Sequence, residues 1–124
     1  MAEKVLVVDQ ASSCESILSK LRQEDGFDAE AVETSADAAQ RASEINPDLL
    51  VVSWKLGDDT FGIDIINQLR YEVGVDVPSI LVSDEPLSEL ENSLKHTANT
   101  RLVHKPFDVQ MLLKTYQEIR GYTG

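Results

Sequence analysis

The sequence predicts an α/β protein with a doubly wound, five-stranded parallel sheet, covered by helices on both faces as a three-layer sandwich. Five short apolar runs alternate with five segments of helical periodicity along the 124 residues, and this alternation favours βαβ crossovers between parallel strands. The third run, Leu49 to Val52, is unbroken by polar residues, which is typical of a strand buried on both faces. The length suits one core, so we predict a single domain over residues 1–124.

The first half of the chain supplies two strands and two helices before that central run. The β-branched run from Lys4 to Asp9 is flanked by polar residues and predicts the first strand. A helix follows and ends at Gly26. Phe27 to Glu33 alternates apolar and acidic residues, which indicates a strand exposed on one side or near a sheet edge. Thr34 caps the second helix, which has to end before Pro47.

The second half repeats the alternation. A third helix ends near Gly74, and the apolar run Val77 to Ser83 predicts the fourth strand. After a short and rather polar fourth helix, Thr100 to His104 predicts the fifth strand. Asp108 caps the last helix, and Gly121 is expected to end it.

Composition and charge narrow the functional classes. Eleven basic against 22 acidic residues give a formal charge of −11, which opposes direct binding to a nucleic-acid backbone. No apolar run has the length of a membrane span, and the first residues lack a signal-peptide pattern. We therefore expect a cytoplasmic protein without membrane contact. Cys14 is the only cysteine, which excludes an internal disulfide.

Polar residues at the strand ends are the candidate site residues, because ligands in open α/β sheets bind outside the carboxyl ends of the strands. No strand is followed by G-x-G-x-x-G or G-x-x-x-x-G-K, so neither a dinucleotide fingerprint nor a Walker loop is present. The residues selected at the strand ends are Asp9, Gln10, Ser53, Ser83, Lys105 and Pro106.

These residues and their surroundings resemble the receiver domain of bacterial response regulators, which has a CheY-like (βα)5 fold of the flavodoxin-like type. The resemblance rests on "VLVVDQ", "PDLLVVSW", "VPSILVS" and "LVHKPF", which occur in this order along the chain. In that family an acidic pair after the first strand and an aspartate after the third hold Mg²⁺, and this aspartate accepts a phosphoryl group. A hydroxyl and a lysine at later strand ends contact the phosphoryl oxygens, and an aromatic residue on the fifth strand turns inward as part of the switch.

Part of that constellation is kept. By resemblance, Asp9 matches the first acidic position, Ser83 the hydroxyl and Lys105 the lysine. Pro106, directly after the lysine, is the candidate for a cis peptide bond.

Three functional positions differ. Gln10 occupies the second acidic position, Ser53 the phosphoacceptor position and Leu102 the switch-aromatic position. Gly57 also replaces the usual proline, and Gly62 lies one residue later than the family spacing. An alcohol cannot form an acyl phosphate and is a poor nucleophile without an adjacent base. Two of three anionic ligands are missing, so Mg²⁺ binding, at Asp9 if anywhere, should be weak or absent.

The sequence is accordingly interpreted as a degenerate or pseudo-receiver in two-component or phosphorelay signal transduction. We expect a protein-interaction module that is not an enzyme, needs no cofactor and acts independently of phosphorylation. One alternative is an active receiver that uses Asp58 or Asp59 as the acceptor with a remodelled Mg²⁺ site. Another, from a different class, is a flavodoxin-like small-ligand-binding protein or enzyme.

The expected partner is a protein or an output domain, not a nucleic acid or a membrane. By resemblance to receivers, the contact surface would comprise the fourth helix, fifth strand and fifth helix, roughly Ser88 to Arg120. The same surface would serve a homodimer, if one forms.

Overall fold

In this computed structural model of the protein, the structure describes residues 3–23, 26–56, 60–73, 77–86, 88–94, 99–105 and 108–123. Strands and helices alternate strictly from the first element to the last. The strands are β1 (Glu3–Val8), β2 (Phe27–Val32), β3 (Leu49–Ser53), β4 (Ser79–Ser83) and β5 (Thr100–His104). The helices are α1 (Ala11–Gln23), α2 (Ser35–Ile45), α3 (Gly62–Val73), α4 (Ser88–Leu94) and α5 (Val109–Thr123).

All five strands form one parallel sheet in the order β2-β1-β3-β4-β5. The predicted α/β class and parallel sheet are therefore confirmed, and β2 lies at a sheet edge as its alternating pattern indicated. The chain adds β2 on one side of β1 and β3 on the other, so the strand order reverses between β1 and β3. Such a switch point opens a crevice at the carboxyl ends of the strands.

Apolar side chains fill both faces of the sheet, as a doubly wound fold requires. Every residue of β3 and of β4 is buried. On one face, strand residues pack with Leu21 of α1 and with Leu112 and Ile119 of α5. On the other face, they pack with residues of α2 and α3, including Ala42 and Ile66. The helices thus cover the sheet from both sides, and the carboxyl ends of the strands remain accessible.

Local capping explains where two helices begin. The Thr34 side chain accepts a hydrogen bond from the backbone N–H of Asp37 at 3.1 Å, at the start of α2. Asp108 accepts one from Met111 N at 2.9 Å, at the start of α5. Each bond satisfies an N–H that has no partner within its own helix. Both caps were predicted and are confirmed.

Of two predicted helix ends, one is confirmed and the other is wrong. α2 ends at Ile45, where Asn46 adopts a left-handed conformation with φ of 48° before Pro47, as predicted. α5 continues to Thr123, so the expected end at Gly121 is wrong. Glycine lowers helix propensity by only about 1 kcal/mol, which does not terminate a helix that is already packed on the sheet.

Within the described ranges, no helix is both long and apolar enough to cross a membrane.

Candidate functional site

A polar cleft of about 170 Å³ opens at the carboxyl ends of the strands. Its position follows from the topology, because the helices that follow β1 and β3 pack on opposite faces of the sheet, and β4 and β5 end beside them. The five described strand-end residues selected from the sequence all line it. Its lining consists of Asp9, Gln10, Ser53, Trp54, Lys55, Ser83, Asp84, Glu85 and Lys105.

An ion pair between Asp9 and Lys105 occupies the floor. The Lys105 ammonium lies 3.2 Å from Asp9 Oδ2, and the Asp9 side chain is only 4% exposed. The other carboxylate oxygen accepts a hydrogen bond from Gln10 N at 2.7 Å. A carboxylate this deeply buried needs such partners, since an unpaired buried charge is strongly unfavourable. Asp9 and Lys105 therefore hold each other in place at the floor of the cleft.

Ser53 is the last residue of β3 and is 7% exposed. Its hydroxyl donates to Lys55 O at 3.4 Å, which is longer than the usual 2.5–3.0 Å of an O–H···O bond (about 2.7 Å being typical). No donor among the described residues is directed at Ser53 Oγ. The phosphoacceptor position of the predicted site is thus a buried, weakly engaged hydroxyl that faces the cleft.

The opposite wall is built by the ends of β4 and β5. The Ser83 hydroxyl accepts from Glu85 N at 3.0 Å and donates to Glu85 O at 3.2 Å. Lys105 N donates to Ser83 O at 2.7 Å, which joins the two strand ends. These bonds fix Ser83 and turn the chain so that Asp84 and Glu85 line the cleft with exposed side chains.

The segment after β3 folds back on itself beside Ser53. Lys55 and Phe61 form an antiparallel bridge, and Leu56 N donates to Thr60 O at 2.9 Å. The Trp54 and Phe61 rings stack at 5.1 Å with a tilt of 49°. Trp54 is half-buried and lines the cleft, whereas Phe61, which is 41% exposed, contacts Trp54 without belonging to the lining.

The remaining predicted positions do not contribute described side chains to the cleft. Leu102 lies on β5, half-buried against the core on the α2–α3 side of the sheet. Pro106 and both alternative acceptors, Asp58 and Asp59, lie outside the described residues, as does Gly57.

The described lining is a poor donor set for the Mg²⁺ that the family implies. Mg²⁺ requires near-octahedral oxygen coordination, with carboxylates as its usual protein ligands. Asp9 is already paired with Lys105 at the place where the acidic pair would stand, and its neighbour Gln10 is a neutral amide. In the part of the chain described here, no three His, Cys, Asp or Glu side chains group as metal ligands do.

Sequence reasoning assigned no role to Lys55 and Phe61. Lys55 stands two positions after the strand end, where its side chain returns to the cleft, but nothing in a single exposed lysine indicates this. Phe61 lies beside Trp54 because of its pairing with Lys55, a contact that hydrophobic periodicity does not encode. Trp54 follows the last residue of β3 and lies half-buried on the cleft wall.

Comparison with known proteins agrees with this architecture. Residues 5–117 match the response regulator receiver domain family. The chain therefore belongs to that family, whose members are the receiver domains of response regulators in two-component signalling. No curated protein is significantly similar to it in sequence.

Solved structures share the fold at low sequence identity. Chemotaxis protein CheY4 of Vibrio cholerae is 22% identical, with a TM-score of 0.83 over 96% of this chain and 99% of that chain. The receiver domain of Francisella response regulator 1452 is also 22% identical, with a TM-score of 0.79 over 98% and 99%. The response regulator domain of Thermotoga maritima CheB is 18% identical, with a TM-score of 0.76 over 97% and 98%.

Proposed function

We propose that this receiver domain is a pseudo-receiver, a non-catalytic protein-interaction module that signals without aspartyl phosphorylation. The observation that carries the proposal is the hydroxyl of Ser53 at the carboxyl end of β3, in a cleft that also contains Asp9 and Lys105. An acyl phosphate requires a carboxylate at the acceptor position, and Ser53 has none. A serine also needs an adjacent base to become nucleophilic, whereas the Ser53 hydroxyl is directed at a backbone carbonyl.

The charge arrangement supports the same proposal. In a phosphorylated receiver the lysine contacts the phosphoryl group, whereas here Lys105 pairs with Asp9 at 3.2 Å. With Gln10 in place of a second acid, one paired carboxylate remains where the acidic pair would attract a divalent cation. We propose that Mg²⁺ binding is weak or absent and that the ion pair replaces the metal as the structural centre of the cleft.

Incubation with Mg²⁺ and acetyl phosphate tests the proposal directly. We expect no base-labile mass increase of one phosphoryl group, measured by intact-protein mass spectrometry. The matched variant Q10D/S53D restores two carboxylates beside Asp9 and is expected to gain this modification. Stoichiometric labelling of the wild-type chain would contradict the proposal. D58N and D59N variants would then show whether one of these residues is the acceptor.

We further propose that the partner, an output domain or a second copy of the chain, binds the α4–β5–α5 surface, residues 88–120. Met111 on α5 is 49% exposed, although its side chain is apolar. Leu102 on β5 and Leu90 on α4 are only half-buried against the core. Apolar area that remains accessible next to Arg101 gives this surface the mixture of apolar and cationic groups that interfaces favour.

Substitution of Met111, which is exposed, and of Arg101, which is half-buried, tests that surface without changing a core residue. M111D and R101A are expected to weaken self-association or partner capture by about tenfold or more, as measured by analytical ultracentrifugation and pull-down with the native output domain. The control is Y71D, because Tyr71 on α3 is 91% exposed and lies outside the surface. If Y71D weakens binding while M111D and R101A do not, the proposed surface is wrong.

A further inference from the structure

We propose that the cleft at the carboxyl ends of the strands is a docking pocket for an arginine side chain of a protein partner. This pocket adjoins the α4–β5–α5 surface, with which it shares Lys105, but its occupancy does not depend on whether that surface binds a partner. The proposal rests on three features that meet in one cleft. They are an aromatic wall, two carboxylates that form no ion pair with another described residue, and a buried hydroxyl that is only weakly bonded.

The aromatic wall is Trp54, which lines the cleft. Its ring also contacts that of Phe61, at 5.1 Å between centroids and a tilt of 49°. The backbone fixes its position, because Trp54 N donates to Val82 O at 2.8 Å and Trp54 O accepts from Gly62 N at 2.6 Å. A tryptophan held rigidly beside a polar cleft offers a flat, electron-rich face to a cation.

The charge of the cleft favours a cationic ligand over an anionic one. Asp9 and Lys105 neutralise each other at 3.2 Å. Asp84 and Glu85 are exposed on the opposite wall, and neither forms an ion pair with another described residue. Lys55 is the remaining charged group of the described lining, so two carboxylates face one ammonium. The formal charge of −11 on the whole chain adds long-range attraction for a cationic segment.

Ser53 supplies the third feature at the floor. Ser53 is 7% exposed, and the single hydrogen bond of its side chain within the described structure is the long one of 3.4 Å to Lys55 O. A hydroxyl also has two acceptor lone pairs, and no described group donates to Ser53 Oγ. Buried polar atoms generally have partners, so a ligand that brings N–H donors to the floor completes the bonding of Ser53.

Arginine fits these three features better than lysine. Its planar guanidinium stacks on an aromatic face while its five N–H donors reach several acceptors at once. One guanidinium against Trp54 can therefore donate to the carboxylates of Asp84 or Glu85 and to Ser53. An ammonium is a compact charge that satisfies fewer of these groups together.

The intrinsic fluorescence of Trp54 reports binding directly, because it is the only tryptophan in the chain. We expect a saturable fluorescence change on titration of the full chain with a capped Gly-Arg-Gly peptide at low ionic strength. The citrulline peptide has the same shape without the charge. Its affinity is expected to be lower by about tenfold or more, since charge-assisted hydrogen bonds are the stronger ones. The lysine peptide should be intermediate, and inorganic phosphate should give no saturable response.

Variants of exposed residues separate the pocket from general electrostatics. D84N/E85Q is expected to weaken binding of the arginine peptide about tenfold, whereas K55A should strengthen that binding because a like charge is removed. D28N/E118Q makes the same charge change at exposed positions outside the cleft and should bind as the wild type does. The proposal would be overturned if the arginine peptide did not bind, or if the arginine and citrulline peptides bound equally. It would also be overturned if both double variants weakened binding equally, or if phosphate alone gave a response. Phosphorylation of the chain by acetyl phosphate would contradict the pseudo-receiver assignment but leave the result with the arginine peptide unaffected.

Discussion

At the scale of single residues, the close approach of α3 to the end of β3 depends on Gly62. A Cβ atom at this position would lie 2.0 Å from Ser53 O and 2.7 Å from a Leu81 methyl group. Gly62 N also donates to Trp54 O at 2.6 Å, so the helix cannot move away without losing that bond. The chain therefore requires glycine at position 62 for a steric reason.

Substitution of Gly62 by alanine is expected to destabilise the fold by about 3 kcal/mol, because the clash is with backbone and cannot be relieved by a side-chain rotation. Urea unfolding followed by circular dichroism measures this change. Gly26 is the comparison, since its φ is 92° but a Cβ atom there would meet nothing within 4 Å. Gly26→Ala should cost only about 1–2 kcal/mol, the strain of a left-handed backbone. Equal losses would mean that the chain around Gly62 shifts to relieve the clash and that contact does not require glycine there.

At the scale of secondary-structure elements, an ion-pair network ties the edge strand β2 to α2. The Arg41 guanidinium contacts both carboxylate oxygens of Glu30, at 2.5 and 2.7 Å, and also pairs with Glu44. Hydrogen bonding to Arg41 lowers the pKa of Glu30 below its usual value, and the same contacts raise the pKa of Arg41. The bidentate geometry makes this pair more specific than an ordinary surface ion pair.

Stability from this network should depend on pH in one direction. The pKa of Glu30 is lower in the folded than in the unfolded chain. The network therefore stabilises the fold at pH values above the pKa of Glu30 in the unfolded chain, and this stabilisation is lost as the pH falls through its pKa in the folded chain. At neutral pH the Glu30–Arg41 coupling is expected to be small, because solvent screens two side chains that are this exposed. A double-mutant cycle with E30Q and R41Q at acidic and at neutral pH measures it. A coupling that persists undiminished once Glu30 is protonated would contradict the assignment.

The elements show which structural features a sequence determines locally. Thr34 and Asp108 were identified as caps because a cap needs only a side-chain oxygen and an N–H two or three residues later. The start of α1, at Ala11, has another origin. The start of α1 follows from the end of β1 three residues earlier. Where β1 ends depends on its pairing with other strands, and strand pairing, unlike capping, is not a local property.

At the scale of the whole molecule, the strand-end residues converge because every strand points the same way. This parallel arrangement was predictable from alternation, and it brings Asp9, Ser53 and Lys105 to one cleft although they are far apart in sequence. The contributions of Lys55 and Phe61 depend on how the chain folds back after β3. That return is a tertiary contact with no periodic signature, so the sequence did not reveal it.

The excess of acidic residues should make the stability of the whole molecule sensitive to salt. With a formal charge of −11, self-repulsion opposes the compact state and salt screens it. Raising NaCl from low to physiological concentration is expected to raise Tm by a few degrees, on the order of 1 kcal/mol of stability. D28N/E118Q removes two exposed negative charges and should show a higher Tm at low salt and a smaller salt effect, by differential scanning calorimetry. A Tm independent of salt would show that the acidic groups are already balanced locally.

The contact between Asp9 and Lys105 also has a consequence for the order of folding events. It joins residues 96 positions apart in the chain, and β5 reaches β1 only across β3 and β4. Closing so long a loop costs conformational entropy that is recovered only once the intervening strands have paired. We therefore expect the cleft to be completed last, when β5 docks, so that a newly synthesised chain acquires it only after the rest of the sheet has formed.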